Sequence, residues 1–107
     1  MKFLCLAYGD GKGWSALSKE EQDETLAQDE VIRQRGALMA AVDPESTVVG
    51  AWDGVARTSD GAFAHSGVPL AGFSVIEAES VEEVVRLVAG TPCARAKGAV
   101  EIRPLLE

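Results

Sequence analysis

Two matching helix-start signals, each placed between apolar segments of strand length, most constrain how this chain can fold. The sequence Ser-Lys-Glu-Glu begins at Ser18, and Ser-Val-Glu-Glu begins at Ser80. A serine followed three residues later by a glutamate forms a capping box, in which each side chain bonds the backbone of the other residue. A glycine ends the helical pattern that follows each box, and glycine favours helix termination. The sequence therefore predicts helices over about residues 19–35 and 81–89.

Six short apolar segments predict β-strands around the two helices. They cover residues 2–8, 37–42, 47–52, 55–59, 70–76 and 98–105. The third and fourth segments flank Asp53-Gly54, a pair that favours a two-residue type I′ hairpin. The order strand, helix, strand, hairpin, strand, helix, strand predicts an α+β ferredoxin-like plait, whose antiparallel sheet carries both helices on one face.

The second face of this sheet needs a cover of its own. Valine, leucine and aromatic residues alternate along the strands, so both faces of the sheet carry apolar side chains. The helices cover only one of these faces. Because homodimers are the commonest oligomers, a second copy of the chain is the simplest cover for the other face.

Composition places the chain among single-domain globular proteins, with one domain over residues 1–107. Hydrophobic residues make up 47% and charged residues 25% of the 107 residues. The formal net charge is -7, which argues against nucleic acid and anionic membranes as partners, since both bind basic surfaces. The first apolar segment ends at Tyr8 and is too short for a signal peptide or a membrane span. We therefore expect a cytoplasmic protein.

No recognisable metal or cofactor motif is present in the sequence. One histidine and two separated cysteines, Cys5 and Cys93, do not supply typical zinc ligands, and no carboxylates have EF-hand spacing. The sequence predicts neither a metal nor a cofactor. It leaves a disulfide between the two cysteines open, although Cys5 alternates with apolar neighbours and is expected to be buried. Glycines 9, 11 and 13 lack P-loop spacing and predict a flexible connector with no helix immediately after it.

The segment richest in chemical groups is residues 60–73, which lies between two predicted strands. It contains Asp60-Gly61, Phe63 and the only histidine, His65. Loops on a rigid scaffold often carry catalytic and binding groups, and histidine is suited to proton transfer near neutral pH. Asp60 is a candidate base or a carboxylate that orients His65. The alternatives are a turn role for Asp60 and a surface position without a partner for His65.

Further candidates are expected near the same end of the sheet. Tyr8 and Asp10 follow one another at the end of the first strand. Glu101 and Arg103 stand two residues apart on the last strand and therefore share a face. Such a pair serves either as a structural ion pair at a dimer contact or as a clamp for a ligand.

Three segments resemble the YCII-related family in its DGPF branch. They are the opening Met-Lys-Phe-Leu-Cys-Leu-Ala-Tyr-Gly-Asp, the Asp-Gly-Ala-Phe that starts at Asp60, and Gly-Ala-Val-Glu-Ile-Arg-Pro-Leu from Gly98. The resemblance covers almost the whole chain. It implies a ferredoxin-like subunit that pairs into a dimeric α+β barrel. Most members of this family have no assigned activity, and a few relatives in the wider group are lyase-type or dehydrohalogenating enzymes acting on small acids.

The chain departs from the family pattern at two places. The wider group often has a candidate acid–base histidine in the first helix. The polar residues of that region in this chain are Gln22, Glu24, Gln28 and Asp29. In the second place, Ala62 replaces the proline of the name-giving motif, and His65 stands where the branch usually has an acid.

Two functional hypotheses follow from the sequence. In the first, a homodimer binds a small acidic molecule in a cleft beside residues 60–73, and His65 with Asp60 provides acid–base chemistry of a lyase type. The ligand-binding candidates are Tyr8, Asp10, Phe63, Glu101 and Arg103. The alternative is a non-catalytic regulatory or protein-interaction dimer, favoured by the loss of the loop charges and of the first-helix histidine. The sequence leaves open whether the protein is an enzyme.

Overall fold

The strands and long helices follow the predicted order, and two short helices are added. The computed structural model describes residues 1–106. The strands are β1 (Lys2–Tyr8), β2 (Leu38–Ala41), β3 (Thr47–Gly50), β4 (Arg57–Asp60), β5 (Leu70–Glu77) and β6 (Ala99–Pro104). The helices are α1 (Gly11–Ala16), α2 (Lys19–Gln34), α3 (Val81–Val88) and α4 (Pro92–Arg95).

Four strands form one antiparallel sheet in the order β2-β5-β1-β6, and β3 pairs with β4 in a separate hairpin. The helices lie on one side of the four-stranded sheet. The predicted α+β, ferredoxin-like class is therefore confirmed. The hairpin is inserted between β2 and β5 and does not join the main sheet, so it stands apart from the core.

Both long helices begin at the predicted serines. At the start of α2, Ser18 Oγ accepts from the Glu21 amide at 3.1 Å, and Glu21 Oε1 accepts from the Ser18 amide at 2.9 Å. At the start of α3, Ser80 Oγ accepts from the Glu83 amide at 3.2 Å, while the Glu83 carboxylate accepts from the amide of Glu79 at 3.1 Å. Each cap of this kind stabilises a helix by about 1 kcal/mol.

The core lies between the helices and the inner face of the sheet. The register pairs Phe3 with Ile76 and Cys5 with Ser74 on this face. The remaining buried core side chains are Ile32, Ala78, Val84 and Val88. Cys5 is a free, buried thiol as expected, and Cys93 is also free, so the open question of a disulfide is answered against one in this structure.

The outer face of the sheet carries apolar side chains that no helix covers. On this face Leu4 pairs with Val75 and Leu6 with Phe73, and all four side chains are half-buried. Leu38 of β2 lies beside Val75 and remains 61% exposed. The predicted open apolar face is therefore present. The second copy of the chain expected to cover it stays a prediction.

The hairpin connection is longer than predicted. The strands end at Gly50 and resume at Arg57, so residues 51–56 form the loop in place of a two-residue turn at Asp53-Gly54. Asp53 accepts from the Val55 amide at 3.1 Å and from Arg57 Nη1 at 2.7 Å. The Asp53 carboxylate thus accepts one hydrogen bond from the loop and one from the first residue of β4, and both bonds hold the longer connection in place.

The glycine-rich segment after β1 is a packed helix start, and the expectation of a flexible connector was wrong. The Gly13 amide donates to Asp10 Oδ1 at 2.9 Å, so Asp10 caps α1, which begins at Gly11. A Cβ atom on Gly13 would lie 1.9 Å from the Ala96 carbonyl oxygen. A Cβ atom on Gly9 would lie 3.0 Å from the sulfur of Cys93. These glycines let α4 approach the end of β1 closely.

Candidate functional site

The central loop, residues 61–69, is held at both ends by backbone hydrogen bonds. The Gly61 amide donates to the Ser46 carbonyl at 3.1 Å, and the Gly9 amide donates to the Pro69 carbonyl at 3.0 Å. Within the loop, the Ser66 hydroxyl donates to the Val68 carbonyl. These contacts place the loop beside the ends of β1 and β6 on the outer side of the sheet.

A groove runs between the central loop and these strand ends, and we call it the outer groove. Its polar lining residues are Tyr8, His65, Ser66, Lys97, Glu101 and Arg103. Tyr8 and His65 also line an adjoining depression toward residues 42–48. The structure therefore places four of the sequence candidates, from one loop and two strands, along a single groove.

The other three candidates lie elsewhere. Phe63 is 86% exposed and lines only the adjoining depression. Asp10 caps α1, which gives its carboxylate a structural role. Asp60 ends β4 opposite Thr47 and lies outside the lining of the outer groove. Within residues 1–106, His65 makes no hydrogen bond or ion pair with a carboxylate, so the His65–Asp60 pair is not assembled in the single chain.

The two charged residues of β6 form an ion pair within the chain, which leaves open the choice between a dimer contact and a ligand clamp. Arg103 donates to Glu101 Oε2 from Nη2 at 2.8 Å and from Nε at 3.2 Å. Both side chains are exposed, so the pair contributes at most about 1 kcal/mol to stability. Arg103 pairs with Glu101, the one acid that lines the groove, so Lys97 leaves the lining with a net positive charge.

A second concave region, the inner cavity, lies on the helix side of the sheet. Its volume is about 250 Å³, and it is bounded by α2, the start of α4 and the middle of the sheet. Its apolar lining includes Ala7, Ile32, Met39, Val88, Pro92 and Val100. Its polar lining residues are Cys5, Asp29, Arg33, Ser74, Thr91 and Cys93.

Burial shifts the titration of the groups that line the inner cavity. Burial raises the pKa of Asp29, and the positive charge of Arg33 opposes this rise. Burial also raises the pKa of Cys93, and the negative charge of Asp29 raises it further. For Cys5, burial raises the pKa more than a hydrogen bond with Ser74 lowers it. The thiols are therefore held protonated, and Asp29 keeps its proton to higher pH than an exposed aspartate does.

Sequence reasoning missed Asp29 and Cys93 as site residues. Asp29 was noted only as one of the residues in the region where relatives have a histidine. The sequence signal for this face was Ile32 alone, which stands three residues after Asp29; the structure also buries Thr25, four residues before Asp29. Helical spacing therefore places Asp29 on the inward face of α2. Nothing in the local sequence places Cys93 opposite it.

Two further observations bear on the kind of site. Across residues 1–106, no group of three or more histidine, cysteine, aspartate or glutamate side chains is arranged to hold a metal ion. None of the helices in that same range is both long enough and apolar enough to cross a membrane.

Comparison with known proteins places the chain in a family. The family model for the YCII-related domain matches residues 1–107. No curated protein matches the chain. A similar solved structure is that of 5-chloro-2-hydroxyhydroquinone dehydrochlorinase (TftG) from Burkholderia phenoliruptrix AC1100, in complex with 2,5-dihydroxybenzoquinone. The identity is 18% and the TM-score 0.50, over 99% of this chain and 94% of that chain.

The two matches carry different weight. At 18% identity, the similarity to the dehydrochlorinase shows a shared fold alone. The family match spans the full chain and agrees with the resemblance seen in the sequence, whereas its DGPF branch stays a prediction. The chain belongs to the YCII-related family.

Proposed function

We propose that this protein is a homodimer that binds a small acidic molecule in the outer groove, with His65 as an acid–base group. One observation carries the proposal: the charged side chains that line the groove are Lys97, Arg103 and one acid, Glu101, in a chain whose net charge is -7. The acid that lines the same groove is Glu101, and Arg103 pairs with it at 2.8 Å. A locally basic groove on an acidic protein favours an anionic ligand.

The outer face of the sheet supports the dimer. Half-buried leucine, valine and aromatic side chains form this face, and the outer groove lies at its rim. A second copy packed on the face would remove these side chains from water, which stabilises association by about 25 cal/mol per Å² of apolar surface. It would also close one side of the groove and exclude water from a bound ligand.

In this proposal His65 transfers the proton and Asp60 orients the imidazole. Asp60 ends β4 one residue before the central loop, so the two residues belong to neighbouring segments. Because their side chains do not bond in the single chain, the pair requires a rearrangement of the loop on ligand binding or dimer formation. Small-molecule binding is also a property of the dehydrochlorinase of similar fold, whose structure holds a quinone.

Calorimetric titration with succinate tests the ligand class and the site together. We expect Lys97→Ala and Arg103→Ala each to weaken succinate binding about tenfold, since charge-assisted hydrogen bonds contribute about 1.5–3 kcal/mol. Lys19→Ala is the matched control, because Lys19 is an exposed lysine paired with Asp23 on the distant helix α2. Equal affinities for the wild type and all three variants would refute the outer groove as the site.

A second candidate function is the non-catalytic regulatory or protein-interaction dimer. The observation that favours it is that His65 lines the outer groove without Asp60, the carboxylate proposed to orient it. Affinity purification that yields one stoichiometric protein partner, with no small molecule retained in native mass spectrometry, supports this function. A retained small molecule without a protein partner counts against it.

A further inference from the structure

We infer that the free edge of β6, the side of this strand that does not face β1, pairs with the same edge of a second copy of the chain. The two strands are antiparallel and centred on Ile102, so that each Glu101 lies opposite the partner's Arg103. This contact is separate from the outer face of the sheet and does not depend on the function proposed for the outer groove. Three observations carry the inference: unbonded backbone groups along the edge, the order of the charges on β6, and exposed valines on α3.

The free edge of β6 presents unbonded backbone groups. β6 is the last strand in the sheet order, and no strand pairs with its other side in the part of the chain that the structure describes. The Leu105 amide donates to the Lys2 carbonyl at 2.9 Å, so alternate residues from Leu105 backwards bond β1. The backbone groups of Val100, Ile102 and Pro104 therefore point to the free edge. Such a row of groups is a template for another strand.

An antiparallel copy centred on Ile102 satisfies most of these groups. The two Ile102 residues exchange both of their backbone hydrogen bonds, and each Val100 amide donates to the partner's Pro104 carbonyl. Proline has no N–H, so the Val100 carbonyl is the one outward group that this register leaves without a donor. Pro104 is exposed, and water replaces the missing donor at this position.

The charges on β6 favour this register over its neighbours. Opposite charges on directly opposed residues stabilise a pair of strands, and like charges destabilise it. A register centred on residue 101 would oppose two glutamates, and a register centred on residue 103 would oppose two arginines. Centring on Ile102 instead gives two Glu101–Arg103 contacts between the chains. The other edge strand, β2, has four residues and no charged side chain that could select a register.

The charges within one chain are already placed for this contact. Glu101 and Arg103 are exposed on the outer face and lie 2.8 Å apart. In the paired strands, each arginine lies beside its own glutamate and opposite that of the partner. The four side chains then form a ring of alternating charge, so the ion pair within the chain does not have to break when the strands associate.

α3 adds apolar side chains beside the same edge. Glu83 faces α2, since its carboxylate pairs with Arg35 of that helix at 2.9 Å. Val81 and Val85 stand two residues to either side of Glu83, which places them on the side of α3 away from α2. Because α3 contacts both α2 and β6, that side lies toward the free edge. Val81 is 40% and Val85 49% exposed, and a copy paired at the edge would cover both.

Sedimentation equilibrium of charge-reversal variants tests the contact. Glu101→Arg and Arg103→Glu each turn two opposite-charge contacts into like-charge contacts and should weaken self-association about tenfold. The variant with both changes restores opposite charges and should return to within about threefold of the wild type. Glu30→Arg, which reverses an exposed ion pair with Arg33 on α2, is the matched control and should have no effect. Lys97→Ala should also have no effect, which separates this contact from succinate binding.

Disulfide trapping determines the register. Directly opposed strand residues have Cα atoms close enough for a disulfide, which requires a separation of about 4.4–6.8 Å. Chains with Glu101→Cys, mixed with chains with Arg103→Cys, should form a covalent dimer on mild oxidation, measured by non-reducing electrophoresis. Both chains also carry Cys93→Ser, so that no half-buried native thiol competes. Each variant alone should give several-fold less covalent dimer, because like positions lie diagonally across the pair.

Each contrary result overturns the inference. A wild type that sediments as a monomer at every concentration would show that the edge does not pair with itself. Equal losses of association in the single and double charge variants would show that the charges do not set the register. Covalent dimer in equal yield from either cysteine variant alone would indicate a different register. No covalent dimer from the mixture would exclude pairing at this edge.

Discussion

The two sides of β1 lead to two concave regions that differ in what covers them. Ala7 lines the inner cavity, and its neighbour Tyr8 lines the outer groove. The inner cavity lies under the helices, and burial there raises the pKa of its carboxyl, Asp29. The outer groove is lined by exposed charged side chains such as Lys97 and Arg103. Alternate side chains of one strand therefore meet a helix layer on one face and solvent on the other.

This difference shows which groups have a pKa that the fold changes. In the inner cavity, the helices partly bury Asp29 and Cys93 and so raise the pKa of both groups. In the outer groove, exposed charges such as the Glu101–Arg103 pair remain in water, and their mutual attraction is screened. A second copy of the chain on the outer face would remove water from the outer groove and so weaken the screening of its charges.

The largest expected effect contrasts a side chain on the inner face with one on the outer face. Ile76 is 0% exposed, so Ile76→Ala should lower the free energy of unfolding by about 2–5 kcal/mol. Leu38 is 61% exposed, and Leu38→Ala should lower it by less than about 1 kcal/mol in the monomer. Urea denaturation measures both values. A large loss from Leu38→Ala that grows with protein concentration would show that a second copy covers this face.

A smaller effect is expected at the glycines that bring α4 against β1. Gly13→Ala places a Cβ atom 1.9 Å from the Ala96 carbonyl oxygen, so α4 must move. We expect a loss of about 1–3 kcal/mol in stability. Gly11→Ala is the matched control, because its Cβ meets nothing within 4 Å. Equal stabilities of the two variants would contradict this account of the glycine-rich segment.

How far the sequence predicted the fold depends on whether the signal is local. The serine caps at Ser18 and Ser80 were visible in the sequence and are formed, because each joins residues only three positions apart. The reciprocal bond of the capping box is formed at Ser18, whereas Glu83 accepts from the Glu79 amide in place of the Ser80 amide. The packing of Gly13 against Ala96 was not visible, because these residues are far apart in the chain. The same reason hid the position of Cys93 opposite Asp29.

The inward face of α2 shows a second limit of prediction from the sequence. Helical spacing of the apolar residues predicts a face with Ala27, Val31 and Ile32, but of these only Ile32 is buried, together with Thr25. The buried position of a threonine could not be anticipated from hydrophobicity. Its hydroxyl donates to the Gln22 carbonyl at 2.8 Å, which satisfies the polar group inside the helix. Asp29 lies on the same face of α2 as Thr25 and Ile32 and lines the inner cavity.

The pH dependence of stability should distinguish the two regions through Asp29. The folded state raises the pKa of Asp29, so this group stabilises the fold most below the pKa of the unfolded chain and loses that contribution as pH rises through the folded value. Asp29→Asn should therefore gain stability relative to the wild type between acidic and neutral pH. Urea denaturation across this range measures the gain. Asp23→Asn, on the exposed side of the same helix, should show no such gain.

The smallest expected effect concerns the reactivity of Cys93. The negative charge of Asp29 adds to burial in raising the pKa of this thiol, and the thiolate is the form that reacts with iodoacetamide. Asp29→Asn should therefore speed alkylation of Cys93 by a few fold at neutral pH, measured by mass spectrometry of intact protein over time. Cys5 is 1% exposed and should stay unreactive in both proteins. Succinate bound in the outer groove should leave the rate unchanged. Slower alkylation of Cys93 with succinate would show that succinate acts at the inner cavity and not only at the outer groove.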